Sequence, residues 1–383
     1  MARHLEALER YRAGGYSCVE AAEFLGISER HFRRLRDRYE AEGAEGLIDR
    51  RRERASARRV GVDRIEWVVE QYRTRYWDFT VKHFHEHLRA EHGFELSYTW
   101  TKGVLQSRGL VRPAPQRSAH RKKRARRPLP GMMLFQDGST HAWLAGQAPC
   151  DLIVTLDDAT SEIYSGFLVE EEGTFSSFRG LAETIASKGL FASLYTDRGG
   201  HYFHTPAAGG KVDKEHLTQV GRALAQLGIE HIPSYSPEAR GRMERVFGTL
   251  QQRLTAELRL QAIASIEAAN RFLSEPFIAD HNRRFAVPAA EPGSAFVPFA
   301  GSLADILCVQ EERVVGRDNT VRYEGLILQI PEQRHRHHFV KAKVRVHRYQ
   351  TGELAIFHGP RRLARYHADA TLIGEQPRAQ SAA

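Results

Sequence analysis

The stretch MMLFQDGSTHAWL, residues 132–144, is an apolar run that ends in a polar turn. Residues 132–135 predict a buried strand, and Asp137 follows at or near its end. The stretch ASLYTDRGG, residues 192–200, repeats this design, because Asp197 follows a short apolar strand and precedes residues that tolerate a sharp turn. Each stretch therefore predicts a strand that delivers a carboxylate to a place where a ligand can approach.

A third acidic residue lies in SPEARGRMERVFGTLQQRL, residues 236–254, which has the pattern of a helix. Ser236 is a suitable N-cap and Pro237 suits the first helical position. At ~100° per residue, one side of this helix is apolar. The other side carries Gly241, Glu244, Gly248 and Gln251. Since a glycine inside a helix costs roughly 1 kcal/mol against alanine, the two glycines beside Glu244 predict a close approach by a metal ion, a neighbouring strand or a nucleic-acid backbone.

The order strand-Asp, strand-Asp-Arg-Gly, then Ser-Pro-x-Ala-Arg-Gly-Arg-x-Glu-Arg on a helix resembles the DDE transposases of bacterial insertion sequences, particularly the ISNCY type of the retroviral-integrase superfamily. The resemblance extends over nearly the whole chain. It implies a multidomain protein with α-helical helix-turn-helix modules, an α/β RNase-H-like catalytic core with a mixed five-stranded sheet, and a small C-terminal β-barrel.

The resemblance also implies an activity. Asp137, Asp197 and Glu244 match the three catalytic positions, which hold two Mg²⁺ ions per active site, with Mn²⁺ as a substitute. The implied enzyme binds the terminal inverted repeats of an insertion sequence in double-stranded DNA, cleaves 3′ ends and transfers them into target DNA. Its implied active form is a homo-oligomer, either a dimer or a tetramer on DNA.

Two other functions remain open at this point. A noncatalytic DNA-binding regulator derived from a transposase would keep the DNA-binding modules, although the complete set of three acidic residues argues against it. A metal-dependent DNA nuclease would use the same site, because hydrolysis and joining share one metal-assisted chemistry.

Composition agrees with an intracellular DNA-acting protein. The chain has 383 residues, 42% hydrophobic and 27% charged, which is enough for several domains. No run approaches the ~20 apolar residues of a membrane span, so we expect no membrane partner and a cytoplasmic, nucleoid-associated location. Cys18, Cys150 and Cys308 lie far apart and predict neither a disulfide framework nor a cysteine zinc site.

Charge is unevenly distributed. Residues 1–127 carry 29 Lys and Arg against 18 Asp and Glu, and residues 301–383 carry 13 against 9. Residues 128–300 are acidic, with 14 against 20. Basic arms around an acidic centre favour a polyanionic partner and a centre that needs cations.

We expect eight segments along the chain. They are a helix-turn-helix domain (1–48), a basic linker (49–62), a second helix-turn-helix or winged-helix-like module (63–111), a basic tether (112–130), the catalytic core (131–287), a linker (288–299), a β-barrel DNA-binding domain (300–370) and a disordered tail (371–383).

The first module has a helix ending at Leu25, Gly26 at the turn, Ser28 as N-cap and a second helix to about Tyr39. Ile27, Phe32 and Leu35 are expected to pack inward. The predicted DNA contacts are Arg30, His31, Arg33, Arg34 and Arg38. A merely solvated arginine-rich face is the alternative.

In the second module, residues 63–76, 80–91 and 97–107 are expected to be helical, with Gly93 at a turn. The residues predicted to be exposed are Thr99, Thr101, Lys102 and Gln106, and the first three are predicted DNA contacts. A small aromatic core is predicted, rather than a base-stacking platform, from Trp67, Tyr72, Tyr76, Trp77 and Phe84.

Other basic residues are further candidates for DNA contacts. In the tether they are Arg121, Lys122, Lys123 and Arg124, and beside the acidic residues they are Arg240, Arg242, Arg245 and Arg198. Asp157 and Asp158 are interpreted as a turn, and Glu238 as an acid near a helix start. His141 and Trp143 either border the metal site or simply pack.

The C-terminal region contains an alternating strand, residues 340–347. Its apolar face is Val340, Ala342, Val344 and Val346, and its basic face is Lys341, Lys343, Arg345 and His347. Nonspecific DNA contact is predicted for Lys341, Lys343 and Arg345. His335, His337 and His338 are interpreted as a DNA-facing loop rather than a metal site, because no carboxylate or thiolate accompanies them at regular spacing.

Overall fold

The computed structural model describes residues 2–48, 59–113, 124–207, 210–213, 215–235, 241–333 and 336–374. The predictions for Arg121, Lys122, Lys123, Arg240, Ser236, Pro237, Glu238 and His335 lie outside these ranges, as do most of the first linker and of the tail. The chain forms two compact units, Met1–Val68 and Val69–Ala383. None of the helices in the described ranges has the length and apolar character needed to cross a lipid bilayer.

The first unit contains the predicted helix-turn-helix. Its helices are α1 (Ala2–Arg12), α2 (Cys18–Leu25) and α3 (Glu29–Glu42), followed by a 3₁₀ turn at Gly43–Leu47. Gly26 ends α2 in the left-handed conformation with φ of 69°, and the Ser28 side chain accepts a hydrogen bond from His31 N. Phe32 packs in the core of the unit with Leu8 and Ala22. The prediction is therefore confirmed, although α3 continues beyond Tyr39.

Three further helices follow: α4 (Val62–Thr74), α5 (Val81–His92) and α6 (Tyr98–Ser107). Thr80 and Ser97 cap the starts of α5 and α6, and Gly93 has a φ of 58°. Tyr76 and Phe84 are buried, as predicted. Trp67 and Trp77 are exposed, so their assignment to a small core was wrong. The Trp77 ring instead lies under the Arg259 guanidinium at 5.1 Å, a contact that keeps one ring face in solvent.

A mixed five-stranded sheet, with strand order β3-β2-β1-β4-β5, forms the predicted core. Its strands are β1 (Leu134–His141), β2 (Cys150–Asp157), β3 (Ile163–Val169), β4 (Ser193–Thr196) and β5 (Glu230–Pro233). The first three are antiparallel neighbours, and β4 runs parallel to both β1 and β5. The helices are α7 (Thr174–Lys188), α8 (Gln219–Leu227), α9 (Gly241–Leu260), α10 (Ile266–Phe272), a π-helical turn (Leu273–Phe277), α11 (Ile278–Phe285) and α12 (Leu303–Ile306).

Helices cover both faces of this sheet. Leu134 packs with Leu181 of α7 and Leu224 of α8. Its neighbour Phe135 points the other way and packs with Leu250 of α9. Because successive side chains of a strand alternate between faces, Asp137 shares the face of Phe135 and α9.

β1 is longer than its apolar segment. Asp137 pairs with Val154 of β2, and the ladder continues to His141 opposite Cys150. Asp137 is therefore in the middle of a strand rather than at its end. The polar half of β1 stays in the strand because β2 supplies its backbone hydrogen-bond partners. In addition, Thr140 Oγ1 donates to Asp151 Oδ1 at 2.5 Å.

The predicted C-terminal β-barrel is not confirmed. The strands are β6 (Val309–Val314), β7 (Thr320–Tyr323), β8 (Leu326–Gln329), β9 (Lys343–Arg348), β10 (Leu354–His358) and β11 (Arg361–Tyr366). Among the described residues they form a four-stranded sheet, β11-β10-β9-β6, and a separate hairpin, β7-β8. The hairpin shares an apolar core with the sheet, including Val321 and Val346, but within the described ranges no ladder joins them into a closed barrel.

The alternation in β9 is partly as predicted. Val344 and Val346 are buried, while Lys343 and Arg345 are exposed. His347 was predicted on the basic face but is buried, and its ring stacks on Phe357 at 4.1 Å. Burial lowers the pKa of His347 to about 4, so this side chain adds no positive charge near neutral pH.

Candidate active site

Asp137 and Asp197 come from adjacent parallel strands. Phe135 of β1 pairs with Tyr195 of β4. Two residues further along each strand, this register brings Asp137 level with Asp197. Asp197 directly follows the end of β4 at Thr196. Both aspartates are half-buried. The structure therefore brings together two of the three predicted carboxylates at the centre of the sheet.

The residues after Asp197 form a local turn. Asp197 Oδ1 accepts a hydrogen bond from Gly199 N at 2.8 Å. A Cβ atom on Gly199 would lie 3.0 Å from that same oxygen, so the turn favours glycine there. Arg198 Nη1 donates to Gly210 O at 2.7 Å, and its guanidinium lies over the Tyr235 ring at 5.0 Å. Arg198 thus has a structural role in this loop.

Helix α9 crosses the face on which Asp137 lies. Gln251 Nε2 donates to Ser139 Oγ at 3.2 Å, which fixes the helix beside β1. Glu244 precedes Gln251 by two helical turns, or ~10 Å, a distance that corresponds to about three residues of a strand. At the other end, Arg242 pairs with Asp158, which adjoins the start of β1, so Glu244 lies along β1 between these two contacts, and it is exposed.

The three carboxylates form an open arrangement. Among the described residues, only one group of three or more His, Cys, Asp or Glu has all its ligand atoms within 4.8 Å of one another. That group is His83, His87 and Glu257, and not the three carboxylates Asp137, Asp197 and Glu244. Like charges on Asp137, Asp197 and Glu244 disfavour closer approach without cations between them.

A buried carboxylate anchors the start of α9. Asp158 is fully buried and forms ion pairs with Arg124 and Arg242. Its Oδ2 accepts from Arg127 N at 2.7 Å, while Arg242 Nη2 donates to Arg124 O at 2.5 Å. Arg124 and Arg242 were predicted to contact DNA, but the structure uses both guanidiniums internally, because Asp158 requires compensation for its buried charge.

The neighbouring Asp157 confirms the predicted turn. Its Oδ1 accepts from Thr160 N at 2.9 Å and its Oδ2 accepts from Gly131 N at 2.8 Å. Burial raises the pKa of Asp157, and these hydrogen bonds oppose the rise. His141 and Trp143 pack against each other, with ring centroids 5.1 Å apart, and the indole of Trp143 is buried.

A group of residues next to Asp137 is not predicted by the sequence pattern. A Cβ atom on Gly138 would collide with Glu172 Oε2, so the glycine admits this carboxylate beside the strand. His201 Nε2 lies 3.5 Å from Glu172 Oε1. Tyr202 OH donates to Gln136 Oε1 at 3.1 Å, and burial raises the Tyr202 pKa well above its ordinary value. The run of glutamates at 170–172, just before α7, was the available signal.

The glycines beside Glu244 meet open space. A Cβ atom on Gly241 or Gly248 would find no atom of another part of the described chain within 4 Å. Close approach by a neighbouring strand, one of three predicted reasons for these glycines, is therefore wrong for the described residues. A metal ion or a nucleic-acid backbone stays a prediction.

The predicted DNA contacts differ in exposure. Arg30, His31, Arg33, Arg34, Arg38, Thr99, Lys341, Lys343, Arg345, His337 and His338 are exposed, and Lys102 is half-buried. Thr101 is fully buried and its Oγ1 lies 3.1 Å from His85 Nδ1, so the prediction that it is exposed is wrong. The helical period turns Thr101 inward because Val104 and Leu105 belong to the same packed side of α6. Lys343 is held by Glu312 at 2.8 Å.

The described residues combine a helix-turn-helix unit with a mixed five-stranded sheet whose neighbouring strands β1 and β4 lead to Asp137 and Asp197. A family described as helix-turn-helix domain matches residues 5–55. The chain is 31% identical over 358 residues to the putative transposase y4bF of Sinorhizobium fredii, covering 92% of this chain and 78% of the relative. It is 25% identical over 343 residues to the transposase for insertion sequence IS1202 of Streptococcus pneumoniae, covering 81% and 72%. The chain belongs to this family of insertion-sequence transposases, which confirms the family inferred from the sequence.

Solved structures of retroviral integrases are distantly similar. A chain of the simian T-cell lymphotropic virus intasome is 17% identical, with a TM-score of 0.33 over 68% of this chain and 84% of its own. The HTLV-2 integrase catalytic core domain is 15% identical, with a TM-score of 0.29 over 38% and 83%. The strand order itself, rather than this likeness, defines the fold of the present core.

Proposed function

We propose that this transposase cleaves DNA at the 3′ ends of its element and joins them to target DNA, with Asp137, Asp197 and Glu244 as ligands of two divalent metal ions. One observation carries the proposal. The parallel register of β1 and β4 makes Asp137 and Asp197 neighbours, and α9 crosses the same face with Glu244.

The side chains present suit hard cations. All three ligands offer carboxylate oxygens, which Mg²⁺ and Mn²⁺ prefer, and their partial exposure leaves room for water and phosphate oxygens. Two such ions would activate the attacking water or 3′-hydroxyl and stabilise the leaving oxygen. The carboxylates then act as ligands and not as nucleophiles.

The remaining side chains bind and orient DNA. Exposed basic residues on α3 suit contacts in the major groove of the terminal repeats. The basic arms on either side of the acidic core would attract double-stranded DNA nonspecifically. Asp158 and Arg242 hold the first turn of α9, which keeps Glu244 beside the sheet. We expect two or four copies to assemble on DNA so that both ends of the element are joined together.

The test uses the full chain and duplexes copied from the DNA that flanks its gene. Nicking and joining are measured with Mg²⁺, with Mn²⁺ and with chelator, for the wild type, Asp137→Asn and Glu170→Gln. Glu170 is exposed and lies outside the proposed site, so it is the matched control. We expect metal-dependent joined product from the wild type and the control, and none from Asp137→Asn.

Other outcomes separate the alternatives. Specific binding of the flanking DNA without cleavage in any metal would favour the noncatalytic regulator. Cleavage without joining would favour the nuclease. Joining that is unchanged in Asp137→Asn would remove this residue from the site.

A further inference from the structure

A second polar cluster lies where α5 contacts the last part of α9. His83 and His87 are one helical turn apart on α5, and both face Glu257. His83 Nε2 and His87 Nε2 each lie 2.7 Å from the same atom, Glu257 Oε1. The side chains are mostly removed from solvent, with exposures of 3% for His83, 16% for His87 and 15% for Glu257.

Both ring nitrogens of His87 face carboxylate oxygens. His87 Nδ1 lies 2.5 Å from Glu91 Oε1, so Nδ1 donates its proton there. Nε2 of a neutral His87 then directs a lone pair at Glu257, an arrangement that requires a second proton or a cation. The ring nitrogen His83 Nδ1 is buried without a hydrogen-bond partner in the described part of the chain.

We propose that His83, His87 and Glu257 bind one divalent transition-metal ion, with Zn²⁺ the best fit. Two imidazole nitrogens and one carboxylate oxygen are a common ligand set for zinc. Metal–ligand distances near 2.0–2.1 Å place tetrahedral ligand atoms about 3.3 Å apart, so each Nε2 has to move from Glu257 Oε1 by only about 0.6 Å. Glu91 supplies the carboxylate that orients the metal-bound His87, as outer ligands commonly do.

The surroundings can accept this positive charge. Arg253 and Arg284 lie beside the cluster, and their guanidiniums contact Glu86 at 2.8 and 2.6 Å. Arg284 also contacts Asp280 at 2.6 Å. Each of these arginines has an acidic partner, whereas Glu257 contacts His83 and His87 and offers its carboxylate to the cation.

A fourth ligand position has space. The cluster opens into a pocket of about 210 Å³ that is also lined by Phe277 and His281. His281 is buried, and its Nδ1 has no hydrogen-bond partner among the described residues. A water molecule in this pocket could complete a tetrahedral site.

Such an ion would fasten α5 to α9, the helix that carries Glu244. The site differs chemically from the three carboxylates, because imidazole favours zinc and similar ions whereas all-oxygen ligands favour Mg²⁺. Zinc would therefore stabilise the protein without replacing the catalytic ions.

The test uses the full chain, produced without a polyhistidine tag and freed of metal with chelator. Zn²⁺ content is measured by mass spectrometry, Co²⁺ binding by its visible absorption, and thermal stability with and without Zn²⁺. The proteins are the wild type, His87→Ala, Glu257→Gln, Asp137→Asn and the exposed control His337→Ala.

We expect one tightly held Zn²⁺ per chain, a tetrahedral Co²⁺ spectrum that Zn²⁺ displaces, and a higher unfolding temperature with Zn²⁺. Asp137→Asn and His337→Ala should keep all three properties, whereas His87→Ala should bind Zn²⁺ at least about 100-fold more weakly. If the variants fail to fold, the Co²⁺ spectrum of the wild type still decides. A wild type without that spectrum, or Zn²⁺ binding that is equal in folded His87→Ala, would overturn the proposal.

Discussion

The two ends of α9 carry glutamates with opposite environments. Glu244, in the first turn, is exposed and is the proposed metal ligand. Glu257, near the last turn, is largely buried and contacts His83 and His87. The two lie 13 residues, or ~20 Å, apart along one rigid element. The carboxylate proposed to meet DNA is exposed, whereas the one that joins α9 to α5 is enclosed and already has its partners.

The first prediction separates the two roles. Glu244→Gln is expected to reduce DNA joining by about 1000-fold, equivalent to about 4 kcal/mol, because it removes a proposed metal ligand. The free energy of unfolding should change by less than about 0.5 kcal/mol, since Glu244 is exposed. Joining rates and chemical denaturation of the same preparations measure both effects. A large loss of stability would make Glu244 a structural residue like Glu257.

The second prediction concerns Asp158, the buried carboxylate that pairs with Arg242 in the first turn of α9. Asp158→Asn leaves Arg124 and Arg242 without their buried counter-charge, so the free energy of unfolding should fall by about 3–5 kcal/mol. Denaturant titration measures this loss. The matched control is Asp280→Asn, an ion-paired but more exposed carboxylate, for which less than about 1 kcal/mol is expected. Equal losses in both variants would contradict a special role for Asp158.

The third prediction concerns Glu257, at the enclosed end of α9, and the pH dependence of protein stability measured with chelator present. Burial raises the pKa of Glu257, but hydrogen bonds from His83 and His87 outweigh it and lower the pKa to about 2 from 4.5. Burial lowers the pKa of His87, but hydrogen bonds with Glu257 and Glu91 outweigh it, so the net pKa lies above 6.5. Glu257 therefore stabilises the folded protein above pH 4.5, and this stabilisation disappears as the pH falls towards 2. His87 stabilises the folded protein below pH 6.5, and this stabilisation disappears at higher pH.

The stability difference between the wild type and Glu257→Gln should therefore be largest between pH 4.5 and 6.5. We expect about 3 kcal/mol there, from denaturant titrations across the pH range. A difference that is independent of pH would show that Glu257 stabilises the protein by packing alone. With Zn²⁺ added, the difference should extend above pH 6.5, because metal binding favours neutral histidines.

The same contrast explains what sequence can predict. Local sequence signals predict the elements around Asp197 and the helix-turn-helix. In the helix-turn-helix these signals are Gly26 and Ser28 at the turn. The length of β1 did not, because its polar half is held by pairing with β2, a partner that is distant in sequence. Alternation likewise predicted the exposed Lys343 but not the burial of His347, which depends on its stacking partner Phe357.

Long-range ion pairs were also invisible in the sequence. Arg242 has the pattern of a DNA-contacting residue, and only the fold brings it to Asp158, 84 residues away. His83 and Glu257 are 174 residues apart, so no spacing rule connects them. A barrel was expected in the C-terminal region because short alternating strands are typical of one, but whether β7 and β8 join the main sheet is decided by tertiary pairing.

The smallest expected effect tests the open surface beside Glu244. Gly248→Ala should raise the free energy of unfolding by up to about 1 kcal/mol, because its Cβ meets open space and alanine favours the helix. Gly103→Ala in α6 has equally open surroundings and is the matched control for this gain. If a DNA backbone passes over α9, only Gly248→Ala should slow joining, by about tenfold, because the added methyl displaces the phosphate. Unchanged joining would mean that DNA does not approach this face, and the open end of α9 would then meet its substrate through Glu244 alone.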